Sequence, residues 1–180
     1  RNKKHFQRRV AMNNILYEAT SKFDFTILAI PTIMIIFMLI FPLIIKKSYE
    51  GKKVKLNIKF VKLFCLAGIL FVAFCSTVVL IAQLNMYNKT VGAYSRGEYQ
   101  IVEGHVENFN PMPYEGHARE TFEINGVKFS YSDYNIHPGY NNTKSHGGVI
   151  KENGQHLKIG YVYLNETYGN IIVYIERLPE

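Results

Sequence analysis

Thr121–Ser132 reads TFEINGVKFSYS. Phe122, Ile124, Val127, Phe129 and Tyr131 alternate with Thr121, Glu123, Lys128, Ser130 and Ser132, the period of two expected of strands with one buried face. The alternation is interrupted once, at Asn125-Gly126, a pair that tolerates the positive φ angles of a two-residue hairpin turn. The stretch therefore predicts an antiparallel hairpin. The same signals recur on either side of it: QIVEGHVENF at 100–109, HLKIGYVYL at 156–164 and NIIVYIERL at 170–178, the last two flanking a Tyr168-Gly169-Asn170 turn. In HLKIGYVYL, Leu157, Ile159, Tyr161 and Tyr163 share one face.

Five strands are thus expected within residues 98–180, where there is no cysteine to form a bridge. At this size, closure into a small barrel is the usual way to make a core and hide strand edges. The strand order, with one long insertion between the third and fourth strands, resembles an OB-fold. An SH3-like barrel and an open sandwich are the other arrangements.

Upstream the composition changes. Phe25–Ile45, FTILAIPTIMIIFMLIFPLII, and Leu63–Leu84, LFCLAGILFVAFCSTVVLIAQL, carry no charge, and each matches the roughly 20 residues that cross a bilayer as a helix. Pro31 and Pro42 are tolerated in such helices and are expected to kink the first. A secretory signal peptide fits the first segment worse, because the segment is too long and has no small-residue cleavage site before the lysines. Cys65 and Cys75 fall inside the second segment, where they pack as small apolar side chains. The expected class is a membrane α plus all-β protein: two transmembrane helices, then a five-stranded OB-like (or SH3-like) barrel.

The net charge of +7 is unevenly spread. Residues 1–62 hold 13 Lys/Arg and 3 Asp/Glu, and residues 63–180 hold 8 and 11. The basic charge is membrane-proximal, so its expected partners are anionic lipid headgroups. A general nucleic-acid groove is not expected in the acidic tail. Residues 1–24 place apolar side chains at approximately helical spacing among basic residues and read as an amphipathic interfacial helix, or else a disordered basic tail. The loop 46–62 carries seven lysines beside both spans, which argues for a cytoplasmic loop in a bacterial inner membrane and an extracytoplasmic tail. The N-terminal basic residues pull the other way, from a greater distance. Residues 85–97 read as an extension of the second helix, ending at Gly97.

Two long loops remain, 110–120 and 132–149, stiffened by Pro111, Pro113 and Pro138. Loops of this length are commonly functional or disordered. His117, His146 and Asp133 offer imidazole and carboxylate to a divalent ion, but no short ligand spacing accompanies them, and histidines that cap loops are the commoner case. Ser145 directly precedes His146, a spacing that points the two side chains apart, and no nucleophile-elbow motif occurs. The SHGG run at 145–148 could form an anion-binding nest of backbone N–H groups, though unliganded Ser/Gly turns are commoner. Tyr114, Tyr131, Tyr134 and Tyr140 could stack on bases or sugars, against the commoner role of core and rim packing.

PMPYEGH at 111–117, FSYSDY at 129–134 and GYNNTKSHGG at 139–148 are similar to the hallmark of a family of small bacterial membrane proteins with two helices before a β-rich tail. The resemblance covers chiefly the tail. It implies that these loops matter together and assigns no catalytic role to any residue. Where members carry Pro after the double Gly, this chain has Val149.

The expected function is a non-enzymatic, membrane-anchored binding module. Tyr114, His117, Tyr131, Asp133, Asn141, Asn142 and His146 are expected to converge at one barrel rim and recognise a small ligand or a protein. No cofactor or metal is expected, and self-association is left open. The alternatives are a nucleotide-sensing membrane effector with a cytoplasmic barrel, like those of anti-phage defence, and a metal-dependent enzyme.

Overall fold

A computed structural model describes residues 14–20, 22–50, 57–116 and 118–179. The chain divides into two compact units, Phe23–Asn85 and a second built from Arg1–Lys22 together with Met86–Glu180.

The first unit is helical. A 3-10 turn, Phe25–Leu28, is capped by the Asp24 carboxylate, which accepts from Thr26 N–H at 2.8 Å. It leads into α1, Ala29–Tyr49. Pro31 lies in the first turn, where its missing N–H costs no helical bond; Pro42 is inside the helix and buried. α2, Ile58–Tyr87, starts at Asn57, whose side chain accepts from Phe60 N–H at 3.2 Å. The hydroxyls of Thr32, Ser76 and Thr77 each donate to the carbonyl four residues back, so these three keep a partner in an apolar surround. Gly68 lets the Met38 thioether approach, because a Cβ there would lie 2.9 Å from its sulfur. Elsewhere the apolar side chains point outward on all sides: Phe64 and Phe71 are 71% and 68% exposed. Both helices are long and apolar enough to cross a membrane.

The second unit is a two-layer β structure. Its strands are β1 (Ile15–Glu18), β2 (Gln100–His105), β3 (Glu107–Asn110), β4 (Glu120–Ile124), β5 (Val127–Tyr131), β6 (His156–Tyr163) and β7 (Asn170–Arg177). One antiparallel sheet has the order β1-β7-β6-β2 and the other β3-β4-β5. Both layers feed one core that includes Val106, Phe122, Phe129, Ile150, Leu157, Ile159 and Ile175. The hairpin forms in the expected register, with Phe122 opposite Phe129 and Ile124 opposite Val127. Its turn has φ of 47° at Asn125 and 78° at Gly126, the left-handed pair of a type I′ turn.

Neither sheet closes into a barrel, and seven strands replace the expected five among the described residues. Two local causes account for this. QIVEGHVENF is not one strand: it breaks at Val106, whose N–H and carbonyl bond Gln155 and Gly154 instead of a ladder partner. The edge of β7 that barrel closure would need is occupied by β1 from the N-terminal segment, with Tyr17 opposite Ile175 and Glu18 opposite Tyr174. The helical reading of residues 1–24 therefore fails at 15–18, which are strand; residues 1–13 lie outside those described.

The outer face of the four-stranded sheet is covered by helix. After α2 come a π-turn, Asn88–Gly92, and α3, Ala93–Arg96, ended by Gly97 in the left-handed conformation. Val91, Tyr87 and Tyr94 pack with Val173, Val162, Ala19 and Tyr99 in a second apolar cluster. Residues 99–178 alone would expose this cluster and lose β1. The β-rich unit is therefore completed by the chain on both sides of the helical hairpin.

Candidate functional site

The chain from β5 to β6, residues 132–155, contains no strand; its only regular element is a 3-10 turn at Lys144–His146. Its order comes from side chains. Glu120 lies on the inward face of β4, in line with Phe122 and Ile124, and is wholly buried. Its carboxylate accepts from the Tyr131 hydroxyl at 2.6 Å, Lys144 N–H at 2.9 Å and Met112 N–H at 3.4 Å. One buried anion thereby ties the core hairpin to both long loops. Burial first, and the Glu120 carboxylate second, push the Tyr131 phenol well above its usual range, so it remains a donor.

Asp133 is the second tie. It accepts from Thr143 N–H and from the Thr143 hydroxyl, both at 2.8 Å, and pairs with His146 Nδ1. Thr143 is fully buried, and its carbonyl accepts from Gly148 N–H at 2.8 Å. Gly148 is required there because a Cβ would collide with the carbonyl oxygen of Asn142. The double glycine thus permits a close backbone crossing. Tyr140 completes the lock: its N–H reaches Ile172 O at 2.9 Å and its hydroxyl accepts from Val149 N–H at 2.7 Å. Burial pushes this phenol up to about 12. His137 is buried, with Gly139 N–H 3.3 Å from Nδ1 and Asn135 Nδ2 3.1 Å from Nε2; both neighbours are donors, and a neutral imidazole accepts from one of them. Burial, helped by the Arg119 guanidinium, pushes the His137 pKa down to about 4.

The lock leaves an open depression of about 390 Å3 lined by Asp133, Tyr134, Asn141, Asn142 and His146. The Tyr114 ring stacks on the His146 imidazole at 5.8 Å between centroids, and Tyr134 lies so close to Gly116 that a Cβ there would sit 2.8 Å from the phenol oxygen. Both loops therefore contribute to one surface. Asn141 Nδ2 donates to Asn135 O at 3.0 Å, and Asn142 is exposed.

Of the seven residues expected at a rim, Tyr114, Asp133, Asn141, Asn142 and His146 come together here. Tyr131 does not: it is a core residue, 3% exposed, pointing at Glu120. His117 lies outside the described residues. Among the described residues no group of three or more His, Cys, Asp or Glu is placed to hold a metal ion. Sequence reading missed Glu120 as the organising group, although its position two residues before Phe122 on an alternating strand put it on the buried face. Tyr134 is weighed for stacking in the sequence but lies outside the seven, and Thr143, joined to Asp133 across ten residues, was missed because no periodic signal marks it.

No family model, no curated protein and no solved structure matches this chain.

Proposed function

We propose that the chain is a membrane-anchored, non-enzymatic binding module whose β-rich unit recognises a small ligand or a protein through loops 110–120 and 132–149. The carrying observation is the contrast inside those loops. Glu120, Thr143, Tyr140 and Gly148 are buried and committed to fixing the backbone, while Tyr114, Tyr134, Asn142 and His146 stay exposed around one depression. Ordering loops of this length costs conformational entropy. A concave surface that joins apolar ring area to a few placed polar groups is what preorganised recognition requires.

Anchoring rests on α1 and α2, whose outward apolar side chains suit lipid. The pairing of β1 with β7 requires the chain before α1 and after α2 to lie on the same side of any bilayer, as two crossings provide. We place the protein in a bacterial cytoplasmic membrane, with the seven lysines of residues 46–62, shared between the end of α1, the connection and the start of α2, inside against anionic headgroups and the β-rich unit outside. The test is labelling of Glu166→Cys, with Cys65 and Cys75 replaced by Ala, by a membrane-impermeant maleimide on intact spheroplasts. Labelling without permeabilisation is expected. Labelling only after permeabilisation would overturn the orientation and favour a cytoplasmic nucleotide sensor.

A further inference from the structure

Resting on the binding reading above, we infer that the depression takes a neutral, hydroxyl-rich ring: a pyranose unit of a glycan. Several alternatives are disfavoured by the lining itself. A phosphate or nucleotide is normally held by Arg or Lys donors, and the lining residues Asp133, Tyr134, Asn141, Asn142 and His146 include neither. Two cations of these loops are engaged by other groups: Arg119 donates to the Ser130 hydroxyl and carbonyl, each at 2.7 Å, and the Lys144 ammonium lies over the Phe109 ring at 5.7 Å. Among the described lining residues a divalent ion would find only Asp133 and His146, and Asp133 already accepts from Thr143 N–H and the Thr143 hydroxyl besides pairing with His146. A β-strand peptide would need a free strand edge, whereas the lining residues all lie in the strandless 132–155 segment.

The polar groups left over suit hydroxyls. His146 Nδ1 faces Asp133, so in the neutral ring Nε2 is an acceptor. With its Nδ2 given to Asn135 O, Asn141 keeps an amide oxygen. Asn142 supplies a whole amide, donor and acceptor together. Adjacent hydroxyls on a sugar, each able to donate and accept, match such a mixed set without a net charge. Tyr114 and Tyr134 are 76% and 68% exposed. Each presents an apolar ring face with a polar tip, and the C–H face of a pyranose can lie on such a ring. Each ring already has a neighbour, Tyr114 the His146 imidazole and Tyr134 Gly116, which reduces the side-chain entropy lost when a ligand covers them.

The experiment is saturation-transfer NMR on the full chain in phospholipid nanodiscs, which avoids sugar-headed detergents. The probes are a panel of neutral hexose and N-acetylhexosamine tetrasaccharides, with GMP and a Gly-Ala tetrapeptide as comparators. Transfer to at least one tetrasaccharide is expected. Tyr114→Ala and Asn142→Ala are each expected to weaken it about tenfold without moving the thermal midpoint, and Tyr114→Phe to retain it. No transfer to any tetrasaccharide overturns the glycan assignment. In that case, transfer to GMP or peptide that depends on Tyr114 leaves the binding reading standing with a different ligand class. Transfer to none of the probes removes support from both. Equal transfer in wild type and in Tyr114→Ala also overturns the proposal, because the sugar would then bind elsewhere.

Discussion

Residues 120–131 and 132–155 adjoin in the chain, yet they are held in different ways. The hairpin of β4 and β5 is a ladder of backbone pairs around a two-residue turn, in which each bond adds a modest net stabilisation and the loss of one is shared. The segment that follows has no ladder and depends on a few side chains, Glu120, Asp133, His137 and Tyr140, that reach backbone groups. Bonds to charged groups are stronger individually, and losing one leaves buried donors with nothing to meet. The hairpin should therefore fail gradually under mutation and the loop segment abruptly.

The hardest test of that contrast is Glu120→Ala, which strands the Tyr131 hydroxyl and the Lys144 and Met112 amides. A loss of about 3 kcal/mol is expected. In amide exchange of the full chain in micelles, Lys144 and Gly148 should lose protection before Phe122 and Phe129. Simultaneous loss at all four would mean that the two regions are one cooperative unit and would sink the distinction.

Acid should separate the regions next. Burial holds the folded His137 pKa at about 4, against about 6.5 in an unfolded chain. Between these values the unfolded state binds a proton that the folded state does not. Stability should fall as pH drops from about 6.5 to about 4, by roughly 3 kcal/mol in all, and this contribution should be flat below and above that window. Denaturant titrations of wild type and His137→Gln across the window isolate it; parallel curves would refute the assignment.

Asp133→Ala should cost about 2 kcal/mol, because Thr143 N–H loses its acceptor. In the hairpin, Gly126→Ala should cost only about 1 kcal/mol, the strain of a side chain at φ 78°. Asn142→Ala should shift the melt by less than about 0.5 kcal/mol, since its exposed side chain belongs to the depression and not to the lock. A large loss there would return the depression to a structural role.

The hairpin was legible because its stability is periodic: Phe122, Ile124, Phe129 and Tyr131 face inward for the same reason that they alternate. Glu120 was legible by the same parity and was passed over because a carboxylate reads as surface. The failure to close a barrel was not legible. It depends on β1, four residues among basic neighbours whose spacing looks helical, and only pairing with β7 makes them strand; tertiary context overrides so short a local preference. At the site, the stretch rich in Tyr, His and Asn announced a surface of some kind. Which of its residues would be committed inward could not be read, because Asp133 meets Thr143 and Tyr114 meets His146 through loop paths without a period.

The pairing of β1 with β7 also sets a timetable. β1 leaves the ribosome before either apolar helix exists, and its partner β7 follows only after both helices and five further strands. At about 5–20 residues per second, the roughly 155 residues between them take on the order of 10–30 s to synthesise. For that interval Ile15–Glu18 is a strand without a ladder. A span of only four residues offers few backbone bonds to a wrong partner. Its brevity would weaken it as a structural element, but it makes the wait safe: β1 can stay unpaired until β7 arrives.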